Sequence, residues 1–248
     1  MTRADGRDPG SLRPVRVTRR YLRHAHGSCM FELGDTKVLC AASITEGVAQ
    51  WRRGSSKGWV TAEYALLPAS THTRTRRESA ATGGLKGRTH EIQRLIGRSL
   101  RTVVDMSAMG GECTMAVDCD VIQADGGTRT AAITGAYLAV HDAFATWRDA
   151  GRIAESPLID FVAATSVGMV DGVCMLDLDY NEDSAAEVDM NVVMDGRGRF
   201  IEVQGTGERT PFDRARLNDL LDLSTGGIDR LVEFQRRVIS EDADVAEL

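Results

Sequence analysis

The spacing of apolar residues switches between two periods several times along this chain, and that alternation restricts its fold more than any other feature. GSCMFELGDTKVLCAASI, starting at Gly27, reads as a hairpin with Gly34-Asp35 as its turn. WVTAEYALLP, 59–68, reads as a strand stopped by Pro68. In THEIQRLIGRSLRTVVDM, 89–106, the period lengthens. Ile92, Leu95, Ile96, Leu100, Val103 and Val104 take one face, and Arg94, Arg98 and Arg101 the other, which predicts an amphipathic helix with an arginine stripe. CTMAVDCDVIQ, 113–123, returns to alternation, with Met115, Val117, Cys119 and Val121 set against Asp118 and Asp120. Asp125-Gly-Gly-Thr-Arg-Thr then opens a helix to about Trp147. Strands are expected at 158–168 and 172–180, and a hairpin over 188–207 turning on Asp195-Gly196-Arg197-Gly198. From Pro211, two helices are expected, separated by Thr225-Gly226-Gly227. Blocks of strands and helices in this order predict an α+β fold. The element order suggests two pseudo-symmetric halves within a single domain spanning 1–248, about 1–150 and 151–240, with Gly151 and Pro157 interrupting the pattern between them. The first ten residues read as loose and polar, and the acidic tail, 241–248, as frayed.

Several classes are excluded or disfavoured. No apolar run approaches the roughly 20 residues of a membrane span, and MTRADGRDPG has no apolar core for a signal peptide. A cytoplasmic protein without membrane partners is the expectation. The cysteines, at 29, 40, 113, 119 and 174, are odd in number and form no CxxC, so they read as buried thiols in a reducing compartment. No GxSxG or HExxH occurs, and no histidine pairs with a Ser or Cys in a nucleophile setting, which leaves a Ser-His hydrolase or a zinc peptidase unsupported.

Charge is distributed unevenly. The net charge is -6, yet residues 71–104 carry eight bases (Arg74, Arg76, Arg77, Lys86, Arg88, Arg94, Arg98, Arg101) against two acids. Residues 1–25 form a second basic block, with seven arginines against Asp5 and Asp8, whereas 171–195 hold eight acids and no base. Basic patches on an acidic protein fit a polyanion partner, and an acidic cluster fits a metal; solvated faces would give the same counts. The stretch 69–88 is rich in Ser, Thr, Gly and Arg and has no period, so it reads as a long functional or mobile loop.

Three stretches have the residue types for chemistry. In DGGTRT, 125–130, two glycines allow close backbone approach, Thr128 is a suitable N-cap, and free helix-start amides with the Arg129 guanidinium could converge on one phosphate-sized anion. It is neither a Walker loop nor GxGxxG, and a plain strand–turn–helix connection remains the alternative. In NEDSAAEVDMN, Glu182-Asp183 and Asp189 flank a short turn into a strand. They could hold Mg²⁺ or Mn²⁺ with waters, act as a general acid, or form a solvated acidic face. Arg88 could add a second cation to the anion site.

GSCMFELGDTKVLCAAS, GWVTAEYALLP, GRTHEIQRLIGRSLR, DCDVIQADGGTRTAAITGA, LDLDYNEDSAAEVDMNVVM and FIEVQGTGE resemble ribonuclease PH, in order, over about Asp5 to Gln235. The resemblance implies the ribonuclease PH-like (ribosomal protein S5 domain 2-like) α+β fold. It implies a phosphorolytic 3′→5′ exoribonuclease, or tRNA nucleotidyltransferase, that trims the 3′ ends of tRNA precursors and releases nucleoside 5′-diphosphates, with polymerisation as the reverse reaction. By the same resemblance, inorganic phosphate is the co-substrate, held by Arg88, Gly127, Thr128 and Arg129. Asp183 and Asp189 are the catalytic and metal-binding pair for Mg²⁺ or Mn²⁺. Arg74 and Arg77, with Arg76, Arg94 and Arg98, serve RNA contact and ring assembly, and the ring is a homo-hexamer built as a trimer of dimers. Three positions depart from the family pattern: Ala69 where an arginine is usual after the LP motif, Gly205-Thr206-Gly207-Glu208 in place of GTAE, and one additional residue in the turn at 109–112. Two rival expectations are a non-catalytic RNA-binding ring subunit and a metal-dependent hydrolytic nuclease. The first would be expected to lack some of the phosphate and aspartate residues, and the second would need no phosphate cradle.

Overall fold

The computed structural model describes residues 3–78 and 84–248; positions 79–83 of the expected 69–88 loop lie outside the described residues. Two sheets form the framework. The larger contains β1 (Val15–Arg19), β2 (Gly27–Leu33), β3 (Thr36–Glu46), β4 (Trp59–Leu66), β5 (Cys113–Gln123) and β10 (Val245–Glu247), in the order β10-β1-β2-β3-β5-β4. Its neighbours are antiparallel except β4 and β5, which run parallel. The smaller sheet contains β6 (Val162–Val170), β7 (Val173–Leu176), β8 (Val188–Asp195) and β9 (Phe200–Gly207), in the order β7-β6-β8-β9. The helices are α1 (Gly87–Thr102), α2 (Thr128–Asp149), α3 (Tyr180–Ala185) and α4 (Arg214–Ser240). This is the ribonuclease PH-like α+β fold.

The position of α2 follows from its composition. Ala131, Ala132, Gly135, Ala136, Ala139 and Ala143 are buried, and the helix packs on β2 and β3 of the larger sheet and on β6 of the smaller. Small side chains let the backbones come close: a Cβ on Gly135 would lie 2.7 Å from the Phe31 Cβ, and one on Gly27 would lie 2.1 Å from the Ala139 carbonyl oxygen. One hydrophobic cluster runs from Val15 through α2 to Val238 and draws on both sheets. All nine residues of β6 are buried, as expected of a strand covered on both faces. No helix among the described residues is long and apolar enough to cross a membrane. All five cysteines are free, and four are buried.

Several expected elements differ. The two helices expected after Pro211 are one 27-residue helix. Gly227 does not break it, because the missing side chain admits Leu176; a Cβ there would lie 2.7 Å from the Leu176 Cδ1. The tail is not frayed, since β10 pairs antiparallel with β1 from Arg16–Glu247 to Thr18–Val245. The strand expected over 172–180 stops at Leu176, and Asp177 adopts a left-handed φ of 53° that turns the chain into α3. The N-terminal arginines divide, with Arg16, Arg20 and Arg23 exposed and three others turned inward. Arg3, Arg13 and Arg19 are buried and bond the carboxylates of Glu182, Asp177 and Asp142. The loose segment expected there is therefore anchored at Arg3.

Candidate phosphate and carboxylate site

The sharp turn between β5 and α2 creates the centre of the site. Gly126 and Gly127 both have left-handed φ, 72° and 64°. A Cβ on Gly126 would lie 2.5 Å from the Leu178 carbonyl oxygen, so only glycine fits. Gly127, not Thr128 as expected, is the N-cap of α2, and no side chain caps that end. The first-turn amides are thus left for another acceptor, and the positive end of the helix dipole reinforces them. The turn is fixed from behind. The Thr36 hydroxyl donates to the Gly126 carbonyl at 2.6 Å, and the Arg13 guanidinium bonds the Asp125 carbonyl and, at 2.8 Å, Asp177 Oδ1.

Thr128 and Arg129 are held from the sides. The Thr128 hydroxyl lies 2.8 Å from the phenol oxygen of Tyr64 on β4. Arg129 donates through Nη1 to Gln204 Oε1 on β9 at 2.8 Å, and Gln204 Nε2 donates to Glu91 Oε1 on α1 at 2.6 Å. Arg88, the second residue of α1, is exposed and has no hydrogen-bond or ion-pair partner among the described residues. The amino end of α1 is tied to the arginine-rich segment by Glu78, which accepts from the Lys86 amide at 3.1 Å and the Thr89 hydroxyl at 2.8 Å.

Opposite the cations stand Asp183 on α3 and Asp189 on β8. Both line one pocket of about 470 Å³ together with Arg88, Gly127, Thr128 and Arg129. Burial first and the neighbouring Asp183 charge second push the Asp189 carboxyl up to about 6, against the lowering pull of Arg129 and Arg88. Burial also raises Asp183, offset in part by Arg88 and Arg129. Asp189 Oδ1 is buried and lacks a hydrogen-bond partner among the described residues, an arrangement costly to a carboxylate unless a proton or cation completes it. No set of three or more His, Cys, Asp or Glu placed to hold a metal occurs among the described residues. Two carboxylates, one of them orphaned, fit a Mg²⁺-type cation completed by waters and substrate oxygens, not a closed protein cage. Glu182, next to Asp183 in sequence, is not available for such a role. It closes the capping box of α3 with Asp179 and is bonded by Arg3.

The remaining sequence candidates divide. Arg76 and Arg77 line the same pocket, whereas Arg74 is exposed and outside its lining. Arg94 and Arg98 line a separate hollow of about 340 Å³ on the outer side of α1, where Arg98 is paired with Glu202. Tyr64, Glu91, Gln204, Tyr180 and Asn191 belong to the pocket or brace it and were not singled out from the sequence. Glu91 and Gln204 lie within recognisable motifs, but only the arginines there carried an obvious chemical signal.

Two guanidiniums, the uncapped amino end of a helix and a pair of carboxylates thus line one pocket within this fold. The chain belongs to the 3′ exoribonuclease family: that family's domain 1 matches residues 11–145, and its domain 2 matches residues 160–227. Among solved structures, the rice (Oryza sativa) protein Rrp46 is similar at 22% identity and a TM-score of 0.76, over 94% of this chain and 98% of that one. A chain of the Archaeoglobus fulgidus exosome with RNA bound to the active site aligns at 20% identity and a TM-score of 0.79, over 94% and 92% of the two chains. A chain of an archaeal exosome core aligns at 21% identity and a TM-score of 0.76, over 95% and 91%.

Proposed function

We propose that this chain is a phosphate-dependent 3′→5′ exoribonuclease acting on tRNA precursors and other structured RNAs in the cytoplasm. The observation that carries this reading is the cradle formed by Arg88, Arg129 and the uncapped amino end of α2, facing Asp183 and Asp189 across one pocket. A hydrolytic nuclease needs carboxylates but no second phosphate site.

Inorganic phosphate held by Arg88, Thr128, Arg129 and the Gly127–Thr128 backbone is placed to attack the phosphorus of the 3′-terminal phosphodiester. The new P–O bond gives a nucleoside 5′-diphosphate, and the bond to the preceding ribose 3′-oxygen breaks. The guanidiniums offset the repulsion between two phosphates and the charge that builds in the transition state. That 3′-oxygen leaves as a hydroxyl, and Asp189, raised to about 6, is suited to hold the proton it takes. Alternatively, Asp183 and Asp189, both ionised, would hold a divalent cation that supplies Lewis-acid stabilisation of the same oxygen in place of that proton. Because the phosphoanhydride of the product retains the bond energy, diphosphates in excess should be polymerised. A homo-hexameric ring, a trimer of dimers, would gather the exposed arginines of several copies around one RNA; the likeness to exosome chains supports ring assembly.

The test is to incubate the protein and Mg²⁺ with a 3′-extended tRNA, with and without inorganic phosphate, and to identify the released nucleotide. Diphosphates formed only with phosphate support the reading. Monophosphates formed without phosphate, and absent from an Asp183→Ala control, would overturn it in favour of hydrolysis. RNA bound without release would make the chain a non-catalytic ring subunit.

A further inference from the structure

A phosphate and two carboxylates account for only one part of the pocket. Its mouth holds an aromatic pair that phosphate chemistry does not need. Tyr180, the first residue of α3, lines the pocket and keeps 47% of its surface exposed. His72, from the segment after β4, stands against it with ring centroids 5.0 Å apart and planes tilted by 54°. An aromatic face half open in the lining of this pocket is placed to meet the flat face of a base.

We propose that Tyr180, flanked by His72, is the stacking platform for a base at the 3′ end of the RNA. This deepens the function proposed above and rests on it. Three observations support the assignment. Tyr180 lies three residues before Asp183 on one short helix, so the two share a face and sit one turn apart. A nucleotide whose phosphodiester is at Asp183 therefore has its base within reach of the tyrosine ring. The backbone that carries the ring is also fixed: the Tyr180 amide donates to Asp125 Oδ1 at 3.3 Å, and α3 is closed by its capping box and by Arg3 on Glu182. Only the two side-chain torsions of the tyrosine are left to be ordered when a base covers it. Finally, no hydrogen-bonding side chain is needed for such recognition, and stacking tolerates any base, as an exonuclease that proceeds through successive nucleotides requires.

The experiment compares KM and kcat for RNA and for phosphate in wild type, Tyr180→Ala, Tyr180→Leu, Tyr180→Phe and His72→Ala. The RNA has either ordinary 3′ nucleotides or abasic ones at the last two positions. Tyr180→Ala and Tyr180→Leu should raise KM for ordinary RNA by about tenfold while KM for phosphate stays unchanged. Tyr180→Phe should restore most of that loss, and His72→Ala should produce a smaller rise. On abasic RNA the wild type should lose the same factor, and Tyr180→Ala should add nothing to it. An unchanged RNA KM in Tyr180→Ala, or a penalty that persists in full on abasic RNA, overturns the platform while leaving phosphorolysis intact. Absence of phosphorolysis in the wild type itself overturns the underlying function, and the platform with it.

Discussion

At the scale of single residues, Asp189 combines chemical use with a cost to stability. Its orphaned oxygen and raised carboxyl mean that the folded protein holds a proton there more tightly than the unfolded chain does. A folded-state value above the unfolded one penalises the native state once pH exceeds about 6, and the penalty fades as pH falls toward the unfolded value. Asp189→Asn should therefore abolish nucleotide release yet raise the melting temperature at pH 7.5, and that gain should shrink at pH 5. Thermal unfolding of both proteins at the two values checks this, and an Asn variant less stable at pH 7.5 would contradict it. Arg129 illustrates a different dependence, because its guanidinium is fixed by Gln204, and Gln204 by Glu91. Gln204→Ala leaves every charge in place, including the Arg129–Glu91 ion pair at 3.7 Å, but removes the amide that orients the guanidinium. It should raise KM for phosphate about tenfold, the order of one charge-assisted hydrogen bond, with RNA affinity retained; steady-state titration of phosphate measures it. The sequence made Arg88, Arg129, Asp183 and Asp189 legible because their residue types and motifs declare a chemistry. It did not make Gln204 or Glu91 legible, since a neutral amide that aims an arginine is visible only when segments 113 residues apart are brought together.

At the scale of elements, the N-terminal arginines show how a charge run can mislead. Seven arginines in 25 residues read as a surface for a polyanion, but three of them, Arg3, Arg13 and Arg19, are buried against partners far along the chain. The Arg3 guanidinium bonds Glu182 through Nε at 2.7 Å and also reaches the Leu176 and Asp177 carbonyls. Arg13 likewise bridges Asp177 and the turn before α2. These arginines fasten the two elements that present the carboxylates and the anion cradle. Arg3→Ala would leave Glu182 with only the longer Arg7 contact at 3.7 Å and the Asp179 amide, and removing one partner of a buried pair costs about 3 kcal/mol. The variant should unfold at lower urea and lose kcat through displacement of Asp183, with a smaller change in KM for phosphate, whose proposed cradle is the amino end of α2. The alternating strands and amphipathic α1 were readable because local period follows local burial. The continuity of α4 and the pairing of β10 were not. Gly226-Gly227 signals a break unless Leu176 is known to press against it, and an acidic octapeptide signals fraying unless the edge of β1 is known to be open.

At the scale of the whole molecule, an acidic protein must attract RNA to one place. With Arg3, Arg13 and Arg19 committed to internal pairs, the exposed cations beside the pocket are those of α1 and the segment before it. Arg88 stands at the pocket, while Arg94 and Arg98 continue outward along the helix. RNA that enters the pocket by its 3′ end would then run along this face, and each phosphate neutralised by an arginine releases counterions. The log of affinity should fall with the log of salt by about 0.7 per phosphate contacted on a single strand. An Arg94→Ala/Arg98→Ala double variant should reduce that slope by about 1.4, two contacts' worth, with KM for phosphate unchanged. Arg20→Ala, just past the end of β1 and so far across the larger sheet from β4, on which α1 packs, should leave the slope as it was. Fluorescence titration of a labelled RNA across salt concentrations reads the slope, and sedimentation of the same samples reads the assembly. A double variant that keeps its slope but breaks into smaller species would show that these arginines join one subunit to the next, and that the RNA reaches the pocket by another face.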